Sequence, residues 1–165
     1  MSKFSKAFGA KYDKDRLSIL TRTFQLGEHT FKVRVPSVGE LERIYNYSKN
    51  PNQEWVEKTY QGMIYQEGLN DDGQKVVLVD FRKEEKDGDV VIEGRSLREA
   101  AANKVVLQYR ITEYFKFLIP ETEESLEDLE YSDIEAEFPL AIQLQFIDKI
   151  NEVISPEYKE ARGKS

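Results

Sequence analysis

Few residues in this chain are of a type that could catalyse a reaction. Cysteine is absent, which excludes thiolate nucleophiles and zinc sites built on cysteine. The single histidine, His29, lies two residues after Gly27 in a predicted hairpin turn, where a Ser/His/Asp relay would stand in water. The sequence therefore predicts no relay of this kind.

Two short motifs look like ligand-binding loops but lack the necessary spacing. Gly-Lys-Ser at residues 163–165 matches the end of a phosphate-binding loop, yet that loop needs a glycine where Tyr158 stands. Asn-Asp-Asp-Gly at residues 70–73 lacks the alternating ligands and closing glutamate of a calcium loop, so it predicts a turn. Because the chain has 31 acidic residues, a pair of carboxylates that hydrolyses a substrate stays an alternative. We nevertheless expect no enzyme, no cofactor and no catalytic metal.

Composition limits the class of protein. The 165 residues fit one domain, and 24 basic against 31 acidic residues give a net charge of -7, which disfavours nucleic-acid binding. The sequence contains neither an export signal nor an apolar stretch of bilayer length, and it lacks cysteine. We expect an intracellular protein that does not bind membranes.

Apolar spacing predicts an α+β fold, in which an N-terminal β-hairpin and a small antiparallel sheet pack on several α-helices. Strand spacing begins at Leu17, and residues 30–35 alternate between polar and apolar side chains on the second strand. We expect residues 17–154 to form the single domain, residues 1–16 a flexible basic arm and residues 155–165 a flexible tail. In the arm, aromatic residues four positions apart would share one face if it became helical on a partner: Phe4, Phe8 and Tyr12.

Helical spacing predicts four helices, over residues 38–48, 53–67, 96–118 and from Pro139 onward. Ser-x-x-Glu at residues 37–40 and 96–99 predicts capping boxes at two of their starts. Residues 75–81 predict a strand covered on both faces, and residues 90–92 a short return strand. In the last helix, Phe146 and Ile150 belong to an apolar stripe that is buried either in the core or in a self-association contact.

An acidic run concentrates the charge excess of the chain. Residues 121–137 contain nine Asp or Glu and neither Lys nor Arg. The run is either a solvated connector or a docking surface for a basic segment of another protein. The candidate docking residues are Glu123, Glu124, Glu127 and Asp128.

Three aromatic residues stand outside the best core positions of their predicted helices: Tyr47, Trp55 and Tyr65. Aromatic side chains in such places are half-buried core residues or, where exposed, anchors of protein interfaces. We therefore treat them as candidate partner-binding residues.

One stretch of the sequence resembles a known family. Residues 23–44, TFQLGEHTFKVRVPSVGELERI, resemble the opening of the tail assembly chaperones of long-tailed bacteriophages. In those proteins a short hairpin leads into a Pro-Ser or Pro-Thr helix start with acidic residues in its first turns, followed by a mostly helical remainder. The resemblance covers about 22 residues.

The resemblance implies a function without catalytic residues. It implies a protein of the host bacterial cytoplasm that binds the tape-measure and tail-tube proteins during virion assembly. A structural tail or baseplate subunit of the virion is the alternative, and a carboxylate-dependent hydrolase is a further one. In the first two cases the partners are other proteins, with self-association as an additional expectation.

Overall fold

A computed structural model describes residues 2–155 and has an α+β fold, as predicted. Within those residues it contains six α-helices, seven β-strands and one short 3₁₀ turn at Arg82–Glu84. The helices are α1 Lys3–Ile19, α2 Val38–Lys49, α3 Gln53–Ile64, α4 Leu97–Phe115, α5 Tyr131–Glu137 and α6 Leu140–Ile154. The strands are β1 Thr21–Leu26, β2 His29–Arg34, β3 Tyr65–Leu69, β4 Lys75–Asp80, β5 Val91–Ile92, β6 Arg95–Ser96 and β7 Leu118–Ile119.

The chain divides into two compact units. Unit 1 comprises Met1–Glu40 and Ile111–Ser165, and unit 2 comprises Leu41–Arg110. That residues 17–154 behave as one domain stays a prediction. The tail expected at residues 155–165 lies, from residue 156 onward, outside the described residues.

The sheet of unit 1 begins with the predicted hairpin. Strands β1 and β2 pair in register from Thr21 opposite Arg34 to Leu26 opposite His29. The two-residue turn between them starts with Gly27 at φ +63°, a backbone conformation that favours glycine. A third strand, β7, pairs antiparallel with β2 and gives the order β1-β2-β7. The helix predicted to reach Leu118 therefore ends earlier, at Phe115, because the chain turns to join the sheet.

Helix α6 supplies the centre of the unit 1 core. Phe146 is 1% exposed and Ile150 is fully buried, which confirms the predicted buried stripe. The Phe146 ring lies 4.7 to 6.1 Å, centroid to centroid, from four other rings. These rings are Phe24, Phe31, Phe115 and Phe138. The stripe is thus part of the unit 1 core.

The end of the acidic run is helical. Helix α5 buries Ile134, and the backbone N–H of Glu130 donates to the Asp133 carboxylate at 2.9 Å at the start of the helix. Tyr131 donates its hydroxyl to the amide oxygen of Gln143, a buried polar residue of α6, at 2.9 Å. Residues 131–137 of the acidic run are therefore a helix held to α6, whereas the choice between a solvated connector and a docking surface for the rest of the run stays a prediction.

Unit 2 has its own core. Helix α3 contributes Val56, Tyr60 and Ile64, and α4 contributes Ala101 and Val105. Helix α3 stops at Ile64, three residues before the predicted end, because the chain continues into strand β3.

The predicted pairing of residues 75–81 with a return strand at residues 90–92 is also wrong. Strand β4 pairs with β3 across the turn of residues 70–73, whereas Val91–Ile92 pairs with Arg95–Ser96. Val77 and Leu78 are 56% and 59% exposed, so β4 is not covered on both faces.

The first helix replaces the expected strand start at Leu17. Helix α1 extends to Ile19, and strand β1 begins only at Thr21. None of the 17 residues of α1 is buried, and its backbone is non-helical at Gly9. Flexibility of residues 1–16 stays a prediction.

Candidate functional site

A surface groove of about 360 Å³ lies beside the sheet of unit 1. Strand β7 and the irregular segment that follows it provide most of the lining. The apolar side chains are Phe117, Leu118, Ile119, Pro120 and Leu126. Its lining is therefore mixed, and a groove of this size has room for side chains of a bound peptide.

Local sequence explains the path of the segment. Pro120 directly follows β7 and has no N–H with which to extend the ladder. Beyond it, the hydroxyls of Thr122 and Ser125 accept the backbone N–H of Glu124 and Glu127, at 3.3 and 3.1 Å. These hydrogen bonds fix two local turns, and the glutamates of the segment are exposed to solvent.

Arg34 forms one wall and is held in place by Glu40. Its two terminal nitrogens donate to the two carboxylate oxygens of Glu40 at 2.9 and 2.8 Å, and its guanidinium carbon lies 5.4 Å from the Phe117 ring centroid. The hydrogen bond from Arg34 is the main reason that the pKa of Glu40 falls to about 2. The same bond raises the pKa of Arg34. Arg34 is therefore a fixed, already paired cation.

Glu40 also completes the predicted capping box. Its carboxylate accepts the backbone N–H of Ser37 at 3.2 Å, and the Ser37 hydroxyl accepts the backbone N–H of Glu40 at 3.2 Å. One glutamate thus fixes both the start of α2 and the wall of the groove. At the second predicted box, the Ser96 hydroxyl accepts the Glu99 N–H at 3.0 Å.

The charge of the groove is negative. Its other basic residue, Lys116, lies 3.5 Å from the carboxylate of Glu113. Among residues 2–155, no Lys or Arg lies within ion-pair distance of Glu123, Glu124 or Glu127. Within the described residues, three carboxylates without a Lys or Arg partner therefore line the groove together with its apolar residues. Such a surface complements a peptide that carries both apolar and basic side chains.

The structure brings the predicted acidic residues together. Glu123, Glu124 and Glu127 line the groove, and Asp128 follows them on the same exposed segment. Nearby, His29 Nε2 lies 3.2 Å from Glu121. His29 is thus exposed at the end of the hairpin and beside a carboxylate.

The three predicted aromatic residues lie in unit 2, and their surroundings differ. Trp55 is 62% exposed on α3, so its role as an interface anchor stays a prediction. Tyr47 stacks on Tyr109 with ring centroids 3.7 Å apart. The guanidinium carbon of Arg82 lies 3.9 Å from the ring centroid of Tyr65. Tyr47 and Tyr65 are therefore both partly covered within unit 2.

A polar network in unit 2 was absent from the sequence predictions. The buried Tyr60 donates its hydroxyl to Glu85, and the Arg98 guanidinium lies 3.9 Å above the Tyr60 ring centroid. Burial, followed by the Glu85 hydrogen bond, raises the pKa of Tyr60 to about 12. Arg98 also pairs with Glu57 and donates to the Gly88 carbonyl at 2.7 Å. The network ties the charged loop of residues 82–89 to α3 and α4.

Arg34, Lys116 and Phe117 were also missed by the sequence predictions. They meet at the groove only through the pairing of β2 with β7, for which the sequence carries no local signal.

The described residues contain no group of three or more His, Asp or Glu side chains placed to hold a metal ion. Among the helices of residues 2–155, none has the length and apolar character needed to cross a membrane. Comparison with known protein families, curated proteins and solved structures gave no match.

Proposed function

We propose that this protein is a non-enzymatic phage tail assembly chaperone. In this role it binds segments of the tape-measure and tail-tube proteins in the host bacterial cytoplasm and keeps them from aggregating before they assemble. The observation that supports the proposal best is the groove, which places apolar residues beside the carboxylates of Glu123, Glu124 and Glu127.

The chemistry of the groove suits temporary binding. Apolar side chains of a partner would bury their surface against Pro120 and Leu126, at roughly 25 cal/mol for each Å² removed from water. The carboxylates on the rim are exposed, so they would contribute mainly to the rate of association and to the choice of a basic partner. A chaperone needs this combination because it must bind selectively and later release its partner.

The resemblance of residues 23–44 to tail assembly chaperones supports the same function. Its central feature, the Pro-Ser helix start, includes Glu40, which positions Arg34 at the groove. The stretch that carries the resemblance therefore also helps to build the proposed binding site.

Association kinetics with a tape-measure fragment test the proposal. The variant E123Q/E124Q/E127Q/D128N removes four negative charges at the groove and its flank. A matched control, D71N/D72N/E84Q/E93Q, removes four from exposed positions of unit 2. Raising the ionic strength from about 10 mM to about 150 mM shortens the Debye length from about 30 Å to about 8 Å.

We expect the wild-type association rate to fall at least about tenfold over this range. The groove variant should associate slowly even at low salt, whereas the control should resemble the wild type. Equal and salt-independent rates for all three proteins would exclude docking at the acidic groove. Unchanged unfolding free energies, within about 0.5 kcal/mol, would show that the variants remain folded.

A further inference from the structure

Helix α1 combines exposed aromatic residues with positive charge. Lys3–Ile19 contains five basic and two acidic residues, a net charge of +3. Phe4 and Phe8 are 62% and 63% exposed. An exposed aromatic surface of this kind is typical of a binding segment rather than of a solvated helix.

A break at Gly9 gathers the aromatic rings. Gly9 has φ +79° and ψ -167°, a conformation that is essentially restricted to glycine. In a straight helix, Phe4 and Tyr12 would be separated by about 12 Å along the axis. Their ring centroids are instead 6.5 Å apart, and Phe8 lies 6.2 Å from Phe4 and 5.7 Å from Tyr12. The three rings form one compact cluster, which we call the aromatic knob.

The groove described above is complementary to this knob. The knob is aromatic and is accompanied by Lys3, Lys6 and Lys11, whereas the groove combines apolar residues with glutamates that have no Lys or Arg partner among residues 2–155. We propose that the aromatic knob of one chain docks in the acidic groove of a second copy of this chain.

A second copy is the occupant that the structure favours. Within one chain the knob remains exposed, so it does not fill its own groove. Every copy nevertheless carries both the basic knob and the acidic groove. Reciprocal exchange between two copies uses both sites on both chains and closes with two-fold symmetry. This inference uses the groove of the proposed function, so a second copy and a partner protein compete for it.

Sedimentation velocity of the full chain tests the exchange. We expect the wild type to form a species of twice the 19.2 kDa chain mass at low salt and to dissociate as salt is raised. K3E/K6E/K11E reverses the charge of the knob, and E123K/E124K/E127K reverses that of the groove. Each variant alone should weaken self-association at least about tenfold. F4A/F8A, which changes no charge and removes exposed side chains, should do the same.

Mixing the two charge-reversed variants provides the decisive measurement. The mixture offers two complementary pairs, one with the original charges and one with the charges exchanged, so it should restore the dimer. Circular dichroism spectra that match the wild type show that loss of association is not loss of fold. A monomeric wild type at low salt, or a mixture that stays monomeric, would overturn the proposal.

Two further readouts separate this inference from its rivals. The knob variant retains an intact groove and should bind the tape-measure fragment at least as tightly as the wild type does. If the wild type binds the fragment but never self-associates, docking between two copies is excluded and the proposed function is unaffected. Binding of the wild type to anionic vesicles, lost in the knob variant and without self-association, would instead assign α1 to a membrane surface.

Discussion

Replacing Phe146 with alanine removes the side chain at the centre of the unit 1 core. The ring is 1% exposed and contacts rings from the hairpin, from α4 and from Phe138, which directly follows α5. Because these neighbours belong to three different elements, they cannot all move into the space that the ring leaves. The substitution therefore creates a cavity that persists.

Substitutions of buried Phe by Ala cost about 3 to 5 kcal/mol. For Phe146→Ala we expect the free energy of unfolding to fall by about 4 kcal/mol. The ring also loses aromatic contacts, each of which contributes about 0.5 to 1.5 kcal/mol beyond the buried area. With a urea slope of about 2 kcal/mol per M, the unfolding midpoint should fall by about 2 M. Since whole domains are stable by only about 5 to 15 kcal/mol, this is a large fraction of the total.

Urea unfolding followed by far-UV circular dichroism measures the change. Leu140→Ala is the matched control, since Leu140 lies on the same helix but is 50% exposed, and it should cost under about 1 kcal/mol. Phe146→Leu, which retains most of the volume, should cost about 1.5 kcal/mol. Equal midpoints for the Phe146→Ala and Leu140→Ala variants would refute the placement of α6 against the sheet.

Two further predictions concern the backbone break in α1 and the Arg34–Glu40 pair. Gly9→Ala should straighten α1 and abolish the magnetisation transfer between the rings of Phe4 and Tyr12 in NMR spectra, whereas Gly62→Ala, inside α3, should stabilise the protein by about 0.5 to 1 kcal/mol. Retained ring contacts in the Gly9 variant would contradict the role of the break. Because Arg34 lowers the pKa of Glu40 from 4.5 to about 2, the pair stabilises the fold above pH 4.5, and this stability is lost as the pH falls through 2. Glu40→Gln should therefore cost about 1 to 2 kcal/mol at pH 7 and progressively less below pH 4.5, and a pH-independent difference in urea unfolding would argue against the ion pair.

The sequence predicted those elements whose signals are local. The stripe of α6 repeats an apolar residue every four positions, so both its helical state and its buried face follow from spacing. The β1-β2 hairpin follows from alternation and from Gly27, and the start of α2 follows from Ser37 and Glu40. Each of these features depends on residues only a few positions apart.

The errors arose where distant pairing overrides local preference. Residues 65–67, Tyr-Gln-Glu, continue the predicted helical pattern but belong to strand β3 because β4 is available to pair with them. Leu118 has helical spacing relative to Ile111 and Tyr114, yet its backbone pairs with Val33 of β2. In α1 the four-residue spacing indicated that the three rings would share a face, and they do lie together, but across a break at Gly9 that the spacing alone did not predict.

The acidic run shows why the candidate site was only partly predictable. Its composition offered a connector and a docking surface as alternatives for the whole of residues 121–137, because charge alone does not show what lies beside each carboxylate. The structure separates the run into two parts. The part that contains Glu123 and Glu127 borders an apolar groove, whereas the part from Tyr131 onward is a helix anchored by Ile134. The proposed docking of a partner therefore involves only the first part of the run. Neutralising Glu123, Glu124 and Glu127 is the change that tests this proposal.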